Sequence, residues 1–115
     1  MGACGNTQLR VNARPVIERF PWELSHGITL SCRAAGERGQ PVMLFLHGFP
    51  EAAFIWDGML EHFAASGYRC IAPNLRGFER STQPPEAAQY RAKFLVQDIA
   101  ALIEAVGAPI DCLVA

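Results

Sequence analysis

Val42-Met43-Leu44-Phe45-Leu46 is an unbroken apolar run, and it limits the fold more than any other stretch of the chain. A strand with one wet face alternates apolar and polar residues. A continuous run means that both faces are covered, as in the strands of a parallel sheet. The run gives way at once to His47-Gly48-Phe49-Pro50, so the chain turns where the strand ends.

Around this strand the pattern alternates between two periods. Phe20, Trp22 and Leu24 are spaced by Pro21 and Glu23, which predicts a first strand, at a sheet edge because Pro21 has no N–H to give to a neighbour. Ser25-His26-Gly27 predicts a turn. Ile28, Leu30, Cys32 and Ala34 alternate with Thr29, Ser31 and Arg33 and predict a second strand, antiparallel to the first. Gly36 to Pro41 reads as a loop, and Val42 to Leu46 is the third strand. From about Phe54 to Ser66 the apolar residues Ile55, Trp56, Met59, Leu60 and Phe63 recur at helical steps, with Gly67 as a left-handed cap. Arg69 to Ala72 read as a fourth strand ended by Pro73, and Asn74 to Pro85 as a long loop. Arg91 to Val106 carry a helical stripe of Phe94, Leu95, Ile99, Leu102, Ile103 and Val106, stopped by Gly107 and Pro109. Cys112 to Ala115 read as a fifth strand. The order is thus an antiparallel β-hairpin followed by parallel β-α-β-α-β. Right-handed crossovers place one helix on each face only if the strand order reverses.

The 115-residue chain holds one small domain, and its 50% hydrophobic content is enough for a packed core. Residues 1–15 are expected to be a flexible segment and 16–115 the folded domain. The net charge of −1 and the lack of a basic block argue against a nucleic-acid partner. No apolar run reaches membrane-spanning length, and the N-terminus has no signal-peptide pattern. Asn6 stands where the acylation pattern that begins Met1-Gly2 wants Ser or Thr. Cys4, Cys32, Cys70 and Cys112 form no CxxC pair. They read as free, buried thiols in a reducing cytoplasm. His26, His47 and His62 have no ligand spacing, so no metal and no cofactor are expected.

The strand followed by His47-Gly48-Phe49-Pro50 resembles the oxyanion-hole segment of α/β-hydrolases, closest to the branch of epoxide hydrolases and haloacid or haloalkane dehalogenases. A second stretch, Ala72-Pro-Asn-Leu-Arg-Gly-Phe-Glu-Arg-Ser81, is similar to the family's Pro-Asp-x-Arg-Gly-aromatic-Gly-x-Ser loop. Pro73, Arg76, Gly77, Phe78 and Ser81 match it. Asn74 replaces Asp and Glu79 replaces Gly. The first change removes a charge that could pair with Arg76. The second suggests that position 79 avoids positive φ. Neither is expected to touch the reaction centre, and Arg76 and Arg80 read equally well as surface residues of a solvated loop.

Ester hydrolysis passes through a tetrahedral oxyanion, which needs backbone N–H groups about 3 Å from the developing charge. The resemblance gives that role to the Phe49 amide, the catalytic group expected on this chain, and gives a pocket-lining role to the Phe49 ring. His47, Gly48, Phe49, Pro50 and Trp56 are the expected substrate-binding residues. Gly48 lets the backbone come close and take an unusual φ, and Pro50 stiffens the exit. The resemblance also implies a cis peptide before Pro50. His47 reads as a residue that holds the loop by hydrogen bonds rather than as a base. Trp56 reads as core by its spacing and as pocket rim by the resemblance. Glu51 is a charge suited to a helix N-terminus.

The family places its nucleophile on an elbow after the fifth strand, its acid and base further on, and a helical cap between them. The resemblance thus implies an N-terminal portion of a hydrolase for a small epoxide, halide or ester, inactive as it stands and prone to associate through its open fifth strand. The elbow residue separates the readings: Asp for an epoxide hydrolase or dehalogenase, Ser for an esterase. A non-catalytic scaffold is the other alternative, disfavoured by the apolar Cys112-Leu113-Val114. A nucleotide-binding domain is disfavoured because no glycine-rich phosphate loop follows any strand.

Overall fold

The structure, a computed structural model, describes residues 16–48 and 51–115. Segment 1–15, with Cys4 and the acylation-like start, lies outside the described residues, as do Phe49 and Pro50. Five strands form one mixed sheet: β1 (Glu18–Glu23), β2 (Thr29–Ala35), β3 (Val42–Phe45), β4 (Arg69–Pro73) and β5 (Ile110–Val114), in the order β1-β2-β4-β3-β5. β1 pairs antiparallel with β2, and β2 antiparallel with β4, whereas β3 runs parallel to both β4 and β5. The edge position of β1 accommodates Pro21, which sits opposite Ser31.

After β3 the chain steps to one side to make β4 and then returns past β3 to make β5. Helices α1 (Asp57–Ala65) and α2 (Ala92–Val106) therefore fall on opposite faces, because right-handed crossovers in opposite directions cover opposite sides. Alternation within the strands divides the core to match. Leu30, Cys32, Ala34, Val42, Leu44 and Ile71 pack with Leu102 of α2. Met43, Phe45, Cys70 and Ala72 pack with Leu60 of α1 and with Ala53. This is why β3 and β4 are buried along their whole length and why β3 reads as an uninterrupted apolar run.

Several boundaries differ from the periodicity. The first helical segment opens with a tight 3₁₀ turn, Ala53–Trp56, before α1 begins at Asp57. Ile110 joins β5 by pairing with Val42, and a register irregularity at Val42/Met43 accommodates it. α1 gives way to Gly67 and α2 to Gly107, both at positive φ. Cys32 and Cys70 are buried, but Cys112 is exposed on the outer strand, against the expectation for all of the thiols. No helix among the described residues is long and apolar enough to cross a membrane.

Candidate functional site

The carboxyl ends of β3 and β5 meet at the point where the strand order reverses, the usual location of a ligand crevice in an open α/β sheet. Leu46 N–H donates to Val114 O at 2.8 Å, which carries the β3–β5 pairing one step beyond the strand. The chain then leaves the sheet at His47, which is 5% exposed.

Both ring nitrogens of His47 are engaged. Leu75 N–H donates to Nε2 at 3.0 Å, and Nδ1 lies 2.9 Å from Gly48 O. A backbone N–H can only donate, so Nε2 carries the lone pair and Nδ1 carries the proton that goes to Gly48 O. The ring also meets Phe78 edge-on, with centroids 4.7 Å apart. A neutral imidazole committed on both sides ties the exit of β3 to the loop after β4, and leaves no nitrogen to take a substrate proton.

The turn itself is closed by Glu51. Its N–H donates to Gly48 O at 2.8 Å, and its carboxylate accepts the Gly48 N–H at 3.3 Å. Gly48 does not take a positive φ, and among the described residues a Cβ there would meet only Glu51 Oε1, at 3.6 Å. The unusual φ expected of Gly48 is therefore not what the fold asks of it. The Phe49 amide and ring, Pro50 and its peptide bond lie outside the described residues. Trp56 stacks at a tilt on Phe45, with centroids 5.4 Å apart, at the margin of the α1-side core. Its Nε1 is buried and has no hydrogen-bond partner among the described residues.

The far end of the turn is held by Asn74, which is not among the site residues expected from the sequence. Asn74 Oδ1 accepts the Ala53 N–H at 2.8 Å, while Asn74 Nδ2 donates to Ser31 O and Ser31 Oγ, each at 3.0 Å. Position 74 thus bonds directly to the segment that leaves the turn, a role separate from the charge pairing with Arg76 considered for it from the sequence. Its signal in the sequence was a polar residue placed directly after a buried strand.

Arg76 needs no charge at position 74, and it is not a surface residue. It is 2% exposed and forms a two-pronged ion pair with Asp98 of α2, Nε to Oδ2 at 2.6 Å and Nη2 to Oδ1 at 2.7 Å. Its Nη1 donates to Gln89 O at 2.9 Å. Hydrogen bonding to Asp98 is the main cause that raises the Arg76 pKa above its usual value. Asp98 Oδ1 also lies 2.8 Å from His26 Nε2. Arg80 is exposed, as a surface loop requires. Glu79, expected to avoid positive φ, sits at φ +50°. The loop needs a left-handed residue there, and the sequence supplies one without glycine's freedom.

A trough of about 440 Å³ lies near the start of β3, lined by Phe20, Trp22, Val42, Ile71 and Val106 among others. It contains none of the expected site residues and lies at the opposite end of the parallel strands.

The alpha/beta hydrolase fold family matches residues 41–109, a span that holds β3, α1, β4, α2 and the loops between them. The chain belongs to the alpha/beta hydrolase fold family. Among curated proteins it is 40% identical over 83 residues to epoxide hydrolase 1 of Siraitia grosvenorii, covering 72% of this chain and 26% of that protein. It is 37% identical over 84 residues to epoxide hydrolase A of Mycobacterium tuberculosis, covering 73% and 26%. The crystal structure of an epoxide hydrolase from Vigna radiata superposes with a TM-score of 0.78 at 37% identity, covering 84% of this chain and 30% of that one. The chain is thus epoxide-hydrolase-like, and it spans between a quarter and a third of the length of these relatives.

Proposed function

We propose that this α/β-hydrolase chain, residues 16–115, is the N-terminal part of a hydrolase domain whose complete protein opens epoxides. A carboxylate oxygen attacks an epoxide carbon, the carbon–oxygen bond of the strained ring breaks, and the released alkoxide takes up a proton. The resulting alkyl ester is split at its carbonyl by an activated water, which returns the carboxylate and releases a diol. The tetrahedral oxyanion of that second step is where the Phe49 N–H acts, with Phe49, Pro50, Gly48, His47 and Trp56 forming one wall of the pocket. Nucleophile, acid and base come from residues after Ala115, and residues 1–115 alone turn over no substrate. The substrate is a small molecule, and the protein works in the cytoplasm.

The observation that carries this reading is the His47 clamp. A buried, neutral imidazole fixes a tight turn at the carboxyl end of a parallel strand, at the point of strand reversal, in a chain about 40% identical to epoxide hydrolases.

The test is turnover of styrene oxide by the full-length protein in ¹⁸O-labelled water. A vicinal diol is expected, and in a single turnover its new oxygen comes from the enzyme's carboxylate rather than from labelled water. Absence of diol overturns the reading. Stoichiometric inactivation by a serine-directed organophosphate would instead indicate an esterase.

A further inference from the structure

Asn74 joins the turn after β3 to the body of the sheet by a set of bonds that no other residue duplicates among those described. The orientation of its amide is dictated by its neighbours. Ser31 O can only accept and Ala53 N–H can only donate, so Nδ2 must face the first and Oδ1 the second. Its own backbone is fixed as well. Asn74 N–H donates to Ser31 O at 2.8 Å, and Asn74 O accepts the Ser81 hydroxyl. Ser81 Oγ in turn accepts the Ser31 N–H at 2.9 Å. Asn74 is 5% exposed and Ala53 is fully buried, so water does not replace these bonds when one is lost.

The next residue, Leu75, donates its N–H to His47 Nε2. Two consecutive residues of the loop after β4 therefore hold the two ends of the connection that leaves β3. Leu75 holds the entry through His47, and Asn74 holds the exit through Ala53. We propose that Asn74 is a positioning residue for the hydrolytic site, setting the Ala53 end of the oxyanion turn against its His47 end. This rests on the hydrolase reading above. The residue acts through the turn and touches no substrate.

The experiment compares three forms of the full-length protein: wild type, Asn74→Leu and Asn74→Asp. Leucine keeps the bulk and removes the acceptor. Aspartate keeps an oxygen for the Ala53 N–H, and the Ser31 hydroxyl can donate to its other oxygen. With styrene oxide, Asn74→Leu is expected to lower kcat by about ten- to a hundredfold with KM nearly unchanged, and Asn74→Asp to retain most of kcat. Hydrogen exchange gives a readout free of activity: amides of residues 51–56 exchange faster in Asn74→Leu than in wild type or Asn74→Asp, while β2 and β4 stay protected. If Asn74→Leu does not fold, Asn74→Ser, whose oxygen is too short to reach Ala53, takes its place with the same expectation. A folded variant without the acceptor that keeps wild-type kcat, or that leaves exchange at residues 51–56 unchanged, overturns the proposal. A wild-type protein that makes no diol overturns the hydrolase reading instead, and the exchange comparison still decides whether Asn74 anchors the turn.

Discussion

Removing the Asp98 carboxylate should be among the most damaging single changes this chain can suffer. The side chains of Asp98 and Arg76 are 1% and 2% exposed, and two short, parallel hydrogen bonds join them. In the wild type the hydrogen bond to Asp98 raises the Arg76 pKa, so the pair's share of stability is complete below arginine's ordinary, already high value and is lost only above it. In Asp98→Ala the main causes that raise the Arg76 pKa are lost and burial lowers it, but an arginine's ordinary value is so high that the guanidinium keeps its charge at neutral pH. The arginine therefore cannot escape by deprotonating. It keeps the Gln89 carbonyl and the nearby Phe94 ring, neither of which carries a full charge. Breaking a buried pair on one side costs about 3–5 kcal/mol, set against a total stability of about 5–15 kcal/mol for a typical domain. With a urea slope of about 1–3 kcal/mol per molar, the midpoint of the full-length protein should fall by more than about 1 M. The double variant Asp98→Leu, Arg76→Met removes both charges and should recover at least about 2 kcal/mol of that loss. A single variant that loses less than about 1 kcal/mol, or a double variant whose loss is the sum of the two singles, would refute the claim that an uncompensated charge is the cause.

Gly77 stands at φ +89°, and a Cβ there would come 2.6 Å from Cε1 of Tyr90, a ring tethered through its hydroxyl to Pro84 O. Gly77→Ala should cost about 2–3 kcal/mol in urea denaturation, and a loss under about 1 kcal/mol would contradict this geometry. Glu79→Gly relieves a left-handed glutamate and should stabilise by about 0.5–1 kcal/mol after the extra chain entropy is counted; a drop in the urea midpoint would count against it. Burial raises the thiols of Cys32 and Cys70 to about 12 and about 11. Peptide mapping after brief iodoacetamide treatment at neutral pH should find Cys112 modified and these two untouched until the protein is unfolded. A raised folded pKa gives stability that is whole below the unfolded value and lost above it, so the two thiols should weaken the fold as pH climbs from about 9 towards 11, which thermal melts across that range would detect.

The element order was legible because the two periods are clean. The β1 and β2 alternation, the all-apolar β3 and the helical stripes each report how many faces an element buries. Their ends were less legible, since Ile110 pairs through an irregularity and Ala53–Trp56 wind more tightly than α1, and neither changes the hydrophobic pattern. Exposure of Cys112 depends on what lies beside β5, which a local pattern does not encode. Arg76 and Asp98 looked like ordinary loop and helix polar residues because the contact that buries them joins positions 22 residues apart.

The candidate site divides in the same way. His47 and Gly48 could be found because they follow a recognisable strand in a recognisable order. What fixes their geometry is written elsewhere in the chain. Leu75 contributes a backbone amide, which any residue but proline would offer, so its identity gives no clue. Asn74 contributes a side chain whose use depends on Ser31 and Ala53, each brought to it by the sheet or by the helix entry. Asp98 holds Arg76 in place directly after the two anchoring residues. Substitutions that remove these two anchors, Asn74→Leu or Leu75→Pro, should therefore loosen the turn after β3 although both lie outside it, since one hydrogen-bonded network joins the two segments.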